Sequence, residues 1–149
     1  MKNLLNQTDC NELITRINKL ASGTQPQWGK MNVAQMLTHT HRTLQSASGE
    51  LKLKRSFIGV LFGGIAKKKL LSDEPWKHSM PTDKHFVVAD RGNFDEAKKA
   101  VLAAVQSFVN AGPNGVAKDP HPFFGNLTAE EWGRLMWTHL NHHLNQFGV

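Results

Sequence analysis

The stretch Thr128 to Phe147, TAEEWGRLMWTHLNHHLNQF, constrains the fold more than any other part of the chain. Thr128 and Glu131 form a T-x-x-E capping box, the signature of a helix start, in which each side chain takes up an amide that the first turn leaves unpaired. Behind it, Trp132, Met136, His139, His143 and Phe147 follow at steps of four, three, four and four. At about 100° per residue these five fall on one face, and that face is the apolar one, which a globular chain must bury.

Two histidines on a buried stripe need partners, because an unpaired buried polar group costs about 1–3 kcal/mol. At i and i+4 their Cβ atoms lie about 6 Å apart, close enough for both imidazoles to reach one cation at about 2.1 Å each. A divalent metal satisfies both at once. His142, turned about 100° from His143, is expected to be exposed or to support the site from outside. The residue after His139 is Leu140, so the general base of the zinc-protease H-E-x-x-H motif is missing.

A metal held in a helical bundle draws on more than one helix. The segment Val33–Ser48 reads as an amphipathic helix with Asn32 as N-cap and Gly49 as its stop. Val33, Met36, Leu37, Thr40 and Leu44 mark its inward side. His39 sits at the edge of that side, while His41 lies about 200° away and cannot share the site. His39, His139 and His143 are therefore the expected ligands, with Zn, Ni or Fe all acceptable to imidazole.

The other segments are also helical. One helix is expected from Thr8 or Asp9 as N-cap, with Leu13, Ile14, Ile17 and Leu20 inward. A weaker, glycine-interrupted one is expected over Arg55 to Leu71, and a clear one over Asp95 to Asn110. Between the last two runs a loop with the breakers Pro75 and Pro81. Only HFVVAD, residues 85 to 90, reads as a possible short extended piece. The fold class is all-α: a four-helix bundle with a long crossover and an extra short helix. A length of 149 residues suits a single domain, 1–149.

Composition narrows the setting. Cys10 is the sole cysteine, so no internal disulfide can form, which suits a reducing compartment; a half-buried thiol is expected. The N-terminus lacks a signal-peptide pattern. The longest apolar run, FIGVLFGGIA at 57–66, is about half the length a membrane span needs. A cytoplasmic protein is expected. The net charge of +6 comes mostly from Lys52, Lys54 and Arg55 and from Lys67, Lys68 and Lys69. No recognition motif accompanies these clusters, so a nucleic-acid partner is not expected. The apolar run between them could lie in a membrane interface, but packing against the bundle is its expected fate.

The segments WGKMNVAQMLTHTHRTL and HLNHHLNQFGV resemble the two metal-binding segments of the DinB-like superfamily of four-helix bundles. The likeness extends through most of the chain and is strongest, from His121 onward, to an uncharacterised branch. It implies an up-down-down-up bundle and a three-histidine site with open coordination positions. Position by position, the first segment supplies His39 and the second His139 and His143. Gln146 matches the glutamine after the last ligand, for which a packing or supporting contact is expected. Some members resemble transferases that use low-molecular-weight thiols, others metal-dependent hydrolases or isomerases. Relatives often look dimeric, which makes the glycine-rich helix a candidate homodimer surface.

Three neutral imidazoles leave a divalent ion its full charge and at least one open position. Such an ion can lower the pKa of a bound water or thiol, or polarise a carbonyl. The expected function is a metal-dependent enzyme acting on a small molecule, by thiol transfer or hydrolysis. The alternative is a non-catalytic module whose metal ties helices together. His85, His121, Asp73 and Glu74 are candidate proton carriers in or beside loops, and Trp28, Trp76, Phe123 and Phe124 are candidate lining for a substrate pocket.

Overall fold

The computed structural model describes residues 1–149 except 71, 73, 75, 79 and 81, and it leaves out the side chain of Leu70. Asp73, Pro75, Pro81 and the expected helix end at Leu71 thus lie outside the described residues. The described secondary structure is helical: α1 (Gln7–Lys19), α2 (Val33–Ser48), α3 (Phe57–Leu70), α4 (Phe94–Ala111) and α5 (Ala129–Gln146), with 3-10 turns at Lys84–Phe86 and Gly112–Gly115. Among the described residues no strand forms, and the isolated bridge between His121 and Gly125 is the β-type pairing recorded.

The caps explain most boundaries. Asn32 and Gln35 form a reciprocal capping box at the start of α2, and Gly49 ends it in the left-handed region at φ 81°. Thr128 and Glu131 do the same for α5. α1 begins earlier than expected. The Asn6 side chain accepts the amides of Thr8 and Asp9 and so takes the N-cap, while Asp9 accepts the Asn3 amide and pairs with Lys2 at 2.9 Å. The extended reading of 85–90 is also corrected. Lys84–Phe86 is a 3-10 turn capped by Asp83. The carbonyls of Val87 and Val88 then accept the side chains of Arg42 and Gln35 in place of a neighbouring strand.

α1 and α2 each pack on α4 and α5, the α2–α4 pairing being the most extensive. Their facing stripes form the core: Leu13 and Ile17 of α1, Met36, Leu37 and Leu44 of α2, Val101, Val105 and Phe108 of α4, and Trp132, Leu140 and Leu144 of α5. Each such side chain contributes about 1.5–3 kcal/mol on burial. Cys10 is fully buried in this core rather than half-buried, and desolvation pushes its thiol pKa up. The chain ends are tied to α5: the Leu4 amide donates to the Gly133 carbonyl, and Arg16 bonds Asn141, Asn145 and the Val149 carbonyl.

α3 departs from expectation. Its seat is narrow: Gly59 and Gly63 lie against the backbone of Pro122 and Phe123, too close for a Cβ, and Lys67 reaches the Asn126 carbonyl and Glu131. Its large apolar side chains are exposed instead of packed against the other helices. The close approach that glycine permits is made to a loop, which leaves Phe57, Ile58, Val60, Leu61, Phe62 and Ile65 exposed.

Candidate metal centre

His39 from the middle of α2 and His139 and His143 from the last turns of α5 meet at one place. Their ring centroids form a near-equilateral triangle with sides of 4.9, 4.8 and 4.6 Å. One ring nitrogen from each lies within 4.8 Å of the others, and among the described residues no fourth His, Cys, Asp or Glu joins the group.

The hydrogen bonds around the triangle fix which nitrogen each ring turns inward. The Nδ1 of His39 lies 2.9 Å from the Phe86 carbonyl, which can only accept, so Nδ1 carries the proton and Nε2 does not. The Gln146 Nε2 donates to the Trp28 carbonyl at 2.7 Å. Its Oε1 therefore faces His143 and accepts from that ring's Nδ1 at 2.8 Å. The Thr43 hydroxyl donates to the Thr40 carbonyl at 2.8 Å and lies 3.3 Å from His139 Nδ1, placed to accept from that nitrogen when it carries the ring proton. His39 and His143 thus carry a proton on Nδ1 and a lone pair on Nε2, and Thr43 gives His139 an acceptor for the same form. This is the arrangement in which metal-ligating histidines are held, the outer nitrogen donating to a carbonyl or other acceptor.

The Nε2 atoms of His39 and of His139 stand 3.0 Å apart, the distance of a hydrogen bond. His39 Nε2 is the acceptor, so without a metal the His139 ring donates from Nε2, and a cation there would take that hydrogen's place. Adding a further proton to the group is disfavoured because the site is buried. Desolvation, then the neighbouring histidines, hold His139 well below the usual imidazole range, and desolvation, then His39, takes His143 down to about 3. His39 is lowered as well, chiefly by burial. Near neutral pH the centre is three neutral imidazoles. Tetrahedral zinc would set its ligand nitrogens about 3.4 Å apart, so the donor set fits a divalent ion in chemistry and in spacing.

The triangle stands in the wall of a cavity of about 1060 Å³, at the upper end of the usual range for small-molecule sites. His139 is only partly buried by surface because one side of its ring faces this space. Trp28, Trp76, Phe123 and Phe124 all line it, as does Glu74. His142, expected outside the site, also faces the cavity, with ring centroids 5.9 Å from Trp28 and 5.8 Å from Trp76.

His121 lines the cavity, but its Nδ1 accepts the amides of Phe123 and Phe124 at 3.0 and 3.2 Å, and desolvation lowers its pKa to about 4. It is thus a neutral ring whose remaining nitrogen, Nε2, can donate. His85 is turned to the surface and paired with Asp83 at 2.6 Å, away from the triangle. His41 takes no part in the cavity lining, as its angle on α2 predicts.

Sequence reasoning missed Thr43, the Phe86 carbonyl and His78, whose ring stacks on Trp28 at 3.8 Å. Thr43 had a signal, since it follows His39 by four residues on the same helix face. A backbone carbonyl from a distant loop has none.

A family model described as "Protein of unknown function (DUF1569)" matches residues 1–148. No curated protein and no solved structure matches the chain.

Proposed function

The chain belongs to the DUF1569 family of proteins of unknown function, and we propose that it is a metal-dependent enzyme that acts on a small molecule with His39, His139 and His143 as the metal ligands. The observation that carries this reading is the convergence of three rings, each with an acceptor beside its Nδ1 and its Nε2 turned to a common centre beside a large cavity. A divalent ion bound there would supply Lewis acidity toward a substrate carbonyl or thiol.

The chain's own residues would do the rest. Phe86, Thr43 and Gln146 hold the rings in orientation. Trp28 and Trp76 exclude water from one side of the site and offer flat apolar surface to a substrate. His121 offers a hydrogen bond from Nε2, and its occupied Nδ1 makes it a donor rather than a base. Thiol transfer and hydrolysis both need a polarised group beside an open coordination position. The group of three ligands, without a fourth among the described residues, supports such a position.

The same reading takes residues 1–149 as one DinB-like domain, an up-down-down-up four-helix bundle. It is supported by the packing of α1 and α2 on α4 and α5 with α3 set apart. The buried free thiol of Cys10 is in keeping with a reducing, cytoplasmic setting.

The test is metal analysis of the purified protein followed by cobalt substitution. The expected result is about one divalent ion per chain, lost in His139→Ala, with a visible cobalt spectrum that changes when a small thiol or carboxylate is added. A chain that binds no divalent ion overturns the reading. A cobalt spectrum indifferent to added ligands would instead favour the alternative, a closed site that ties α2 to α5 without catalysis.

A further inference from the structure

From Phe57 to Ala66, α3 carries no polar side chain. Phe57, Ile58, Val60, Leu61, Phe62 and Ile65 are 79, 62, 57, 58, 56 and 75% exposed, and the helix is seated by its glycine edge and by Lys67 at its end. A helix apolar all round is ordinarily buried in a core or in lipid, and exposed apolar surface on this scale marks a contact site. Fourteen residues extend about 21 Å, short of the roughly 30 Å needed to span a bilayer. Among the described residues no helix is long and apolar enough to cross a membrane.

The flanking charges say what kind of surface fits. Residues 51–70 hold Lys52, Lys54, Arg55, Lys67, Lys68 and Lys69 and no acidic residue, and these six cations equal the chain's whole net charge of +6. Lys67 is tied to Glu131 at 2.8 Å and Lys52 to Asp119 at 3.7 Å. Lys54, Arg55, Lys68 and Lys69 are exposed at the two ends of the apolar face. A second copy of α3 laid along the first, parallel or antiparallel, would set basic residues against basic residues with no acid in the segment to relieve them. An anionic lipid surface meets both requirements: acyl chains for the six apolar side chains and headgroup charge for the cations at either end.

We propose that α3 docks the protein on anionic membrane surfaces, lying in the plane of the interface with Phe57, Leu61 and Ile65 inserted. Because Ile58, Ala66 and Lys69 of the same helix line the cavity, docking holds that wall of the cavity against the bilayer. The proposal does not depend on the metal reading.

Co-sedimentation of the full chain with vesicles tests it, comparing phosphatidylcholine alone with phosphatidylcholine containing phosphatidylglycerol, at low and high salt. Binding to the anionic vesicles should exceed binding to the neutral ones by at least about tenfold and should fall with salt. Each basic residue near an anionic surface adds about fivefold to partitioning, so Lys68→Gln with Lys69→Gln should lower it by about 25-fold. Leu61→Ser with Ile65→Ser should abolish it. Circular dichroism melts and metal content should match the parent in both variants, since neither touches the core or the triangle. Equal binding to the two vesicle types, or none to either, overturns the proposal. So does a concentration-dependent dimer, seen by ultracentrifugation and lost in Ile65→Ser, in a chain that ignores vesicles.

Discussion

The Nε2 atoms of His39 and His139 face each other at 3.0 Å, and because the Phe86 carbonyl holds the His39 proton on Nδ1, the hydrogen between them is carried by His139. A cation that entered would displace that hydrogen, and Thr43, 3.3 Å from His139 Nδ1, is placed to accept it there. In the metal-free protein at neutral pH, imidazole ¹⁵N spectra should assign the Nδ1–H tautomer to His39 and His143 and the Nε2–H tautomer to His139, and a divalent ion should move the His139 proton to Nδ1 while it shifts the three Nε2 resonances. A free ion at 1,000 times its Kd stabilises the fold by about 4 kcal/mol, which for a chain of this size is a rise in Tm of about 10 °C. An Nε2–H tautomer at His39 or His143, or three resonances that ignore divalent ions, would remove the basis of the site.

Gln146 joins two things that are otherwise unconnected, the His143 ring and the loop that carries Trp28. It is 4% exposed, so both of its bonds are made without competition from water. Gln146→Ala leaves His143 Nδ1–H and the Trp28 carbonyl unpartnered. Metal affinity should fall by about 10- to 100-fold, the usual effect of removing such a support, with a loss of about 1–3 kcal/mol in stability. Gln146→Glu should separate the two roles. Its carboxylate still accepts from His143, so affinity should stay within about tenfold of the parent. The Trp28 carbonyl would face an acceptor, and Trp28 fluorescence should report its displacement. Isothermal titration calorimetry of both variants checks the first effect.

What was legible in the sequence followed from local chemistry. The capping boxes at Asn32 and Thr128, the left-handed stop at Gly49 and the spacing of His139 and His143 are written within a few residues, and the structure places them as read. The approach of His39 was legible as well, because a histidine at the edge of an apolar helix face has few other places to go. Errors arose where a distant partner decided the outcome. HFVVAD has strand-forming residues, but Arg42 and Gln35 occupy its carbonyls. FIGVLFGGIA reads as core, yet its glycines bring it against a loop that covers only one edge. Asn6, two residues ahead of the expected cap, captured the helix start because its carbonyl oxygen reaches two amides at once.

Acid should destabilise the metal-free protein over a defined window. Burial lowers the pKa of His39 and His139, takes His121 down to about 4 and His143 down to about 3, against 6.5 for a solvated ring. Their native pKa values lie below the unfolded one, so between these limits the unfolded chain binds protons that the native chain refuses. Stability is complete above pH 6.5 and is lost as pH falls toward 4 and then 3. A histidine that is still neutral in the native state contributes a slope of at most about 1.4 kcal/mol per pH unit, so the group together can erase several kcal/mol of a typical total of about 5–15. Thermal melts of metal-free protein at constant ionic strength should fall steeply between about pH 6.5 and about pH 5. A profile flat across that window would place these rings in water.

Neighbouring glycines on α3 should respond to alanine with opposite signs. A Cβ on Gly64 would meet nothing within 4 Å, whereas one on Gly63 would collide with the Phe123 carbonyl oxygen. That carbonyl cannot easily retreat. The loop around it is held by the paired amides and carbonyls of His121 and Gly125, at 2.9 and 3.1 Å, and by the Ser56 amide on the Pro122 carbonyl at 2.9 Å. In an exposed helix interior, Gly→Ala gains about 0.5–1 kcal/mol through the lost freedom of the unfolded chain. Gly64→Ala should keep that gain. In Gly63→Ala an overpacking cost of about 1–3 kcal/mol exceeds it, and the helix should lift from the loop. Amide hydrogen exchange in α3 should therefore slow in the first variant and accelerate in the second, with the amides of α1, α2, α4 and α5 unaffected in both. Exchange changing in the same direction in the two variants would mean that α3 is not seated on the 122–124 loop by its glycine edge.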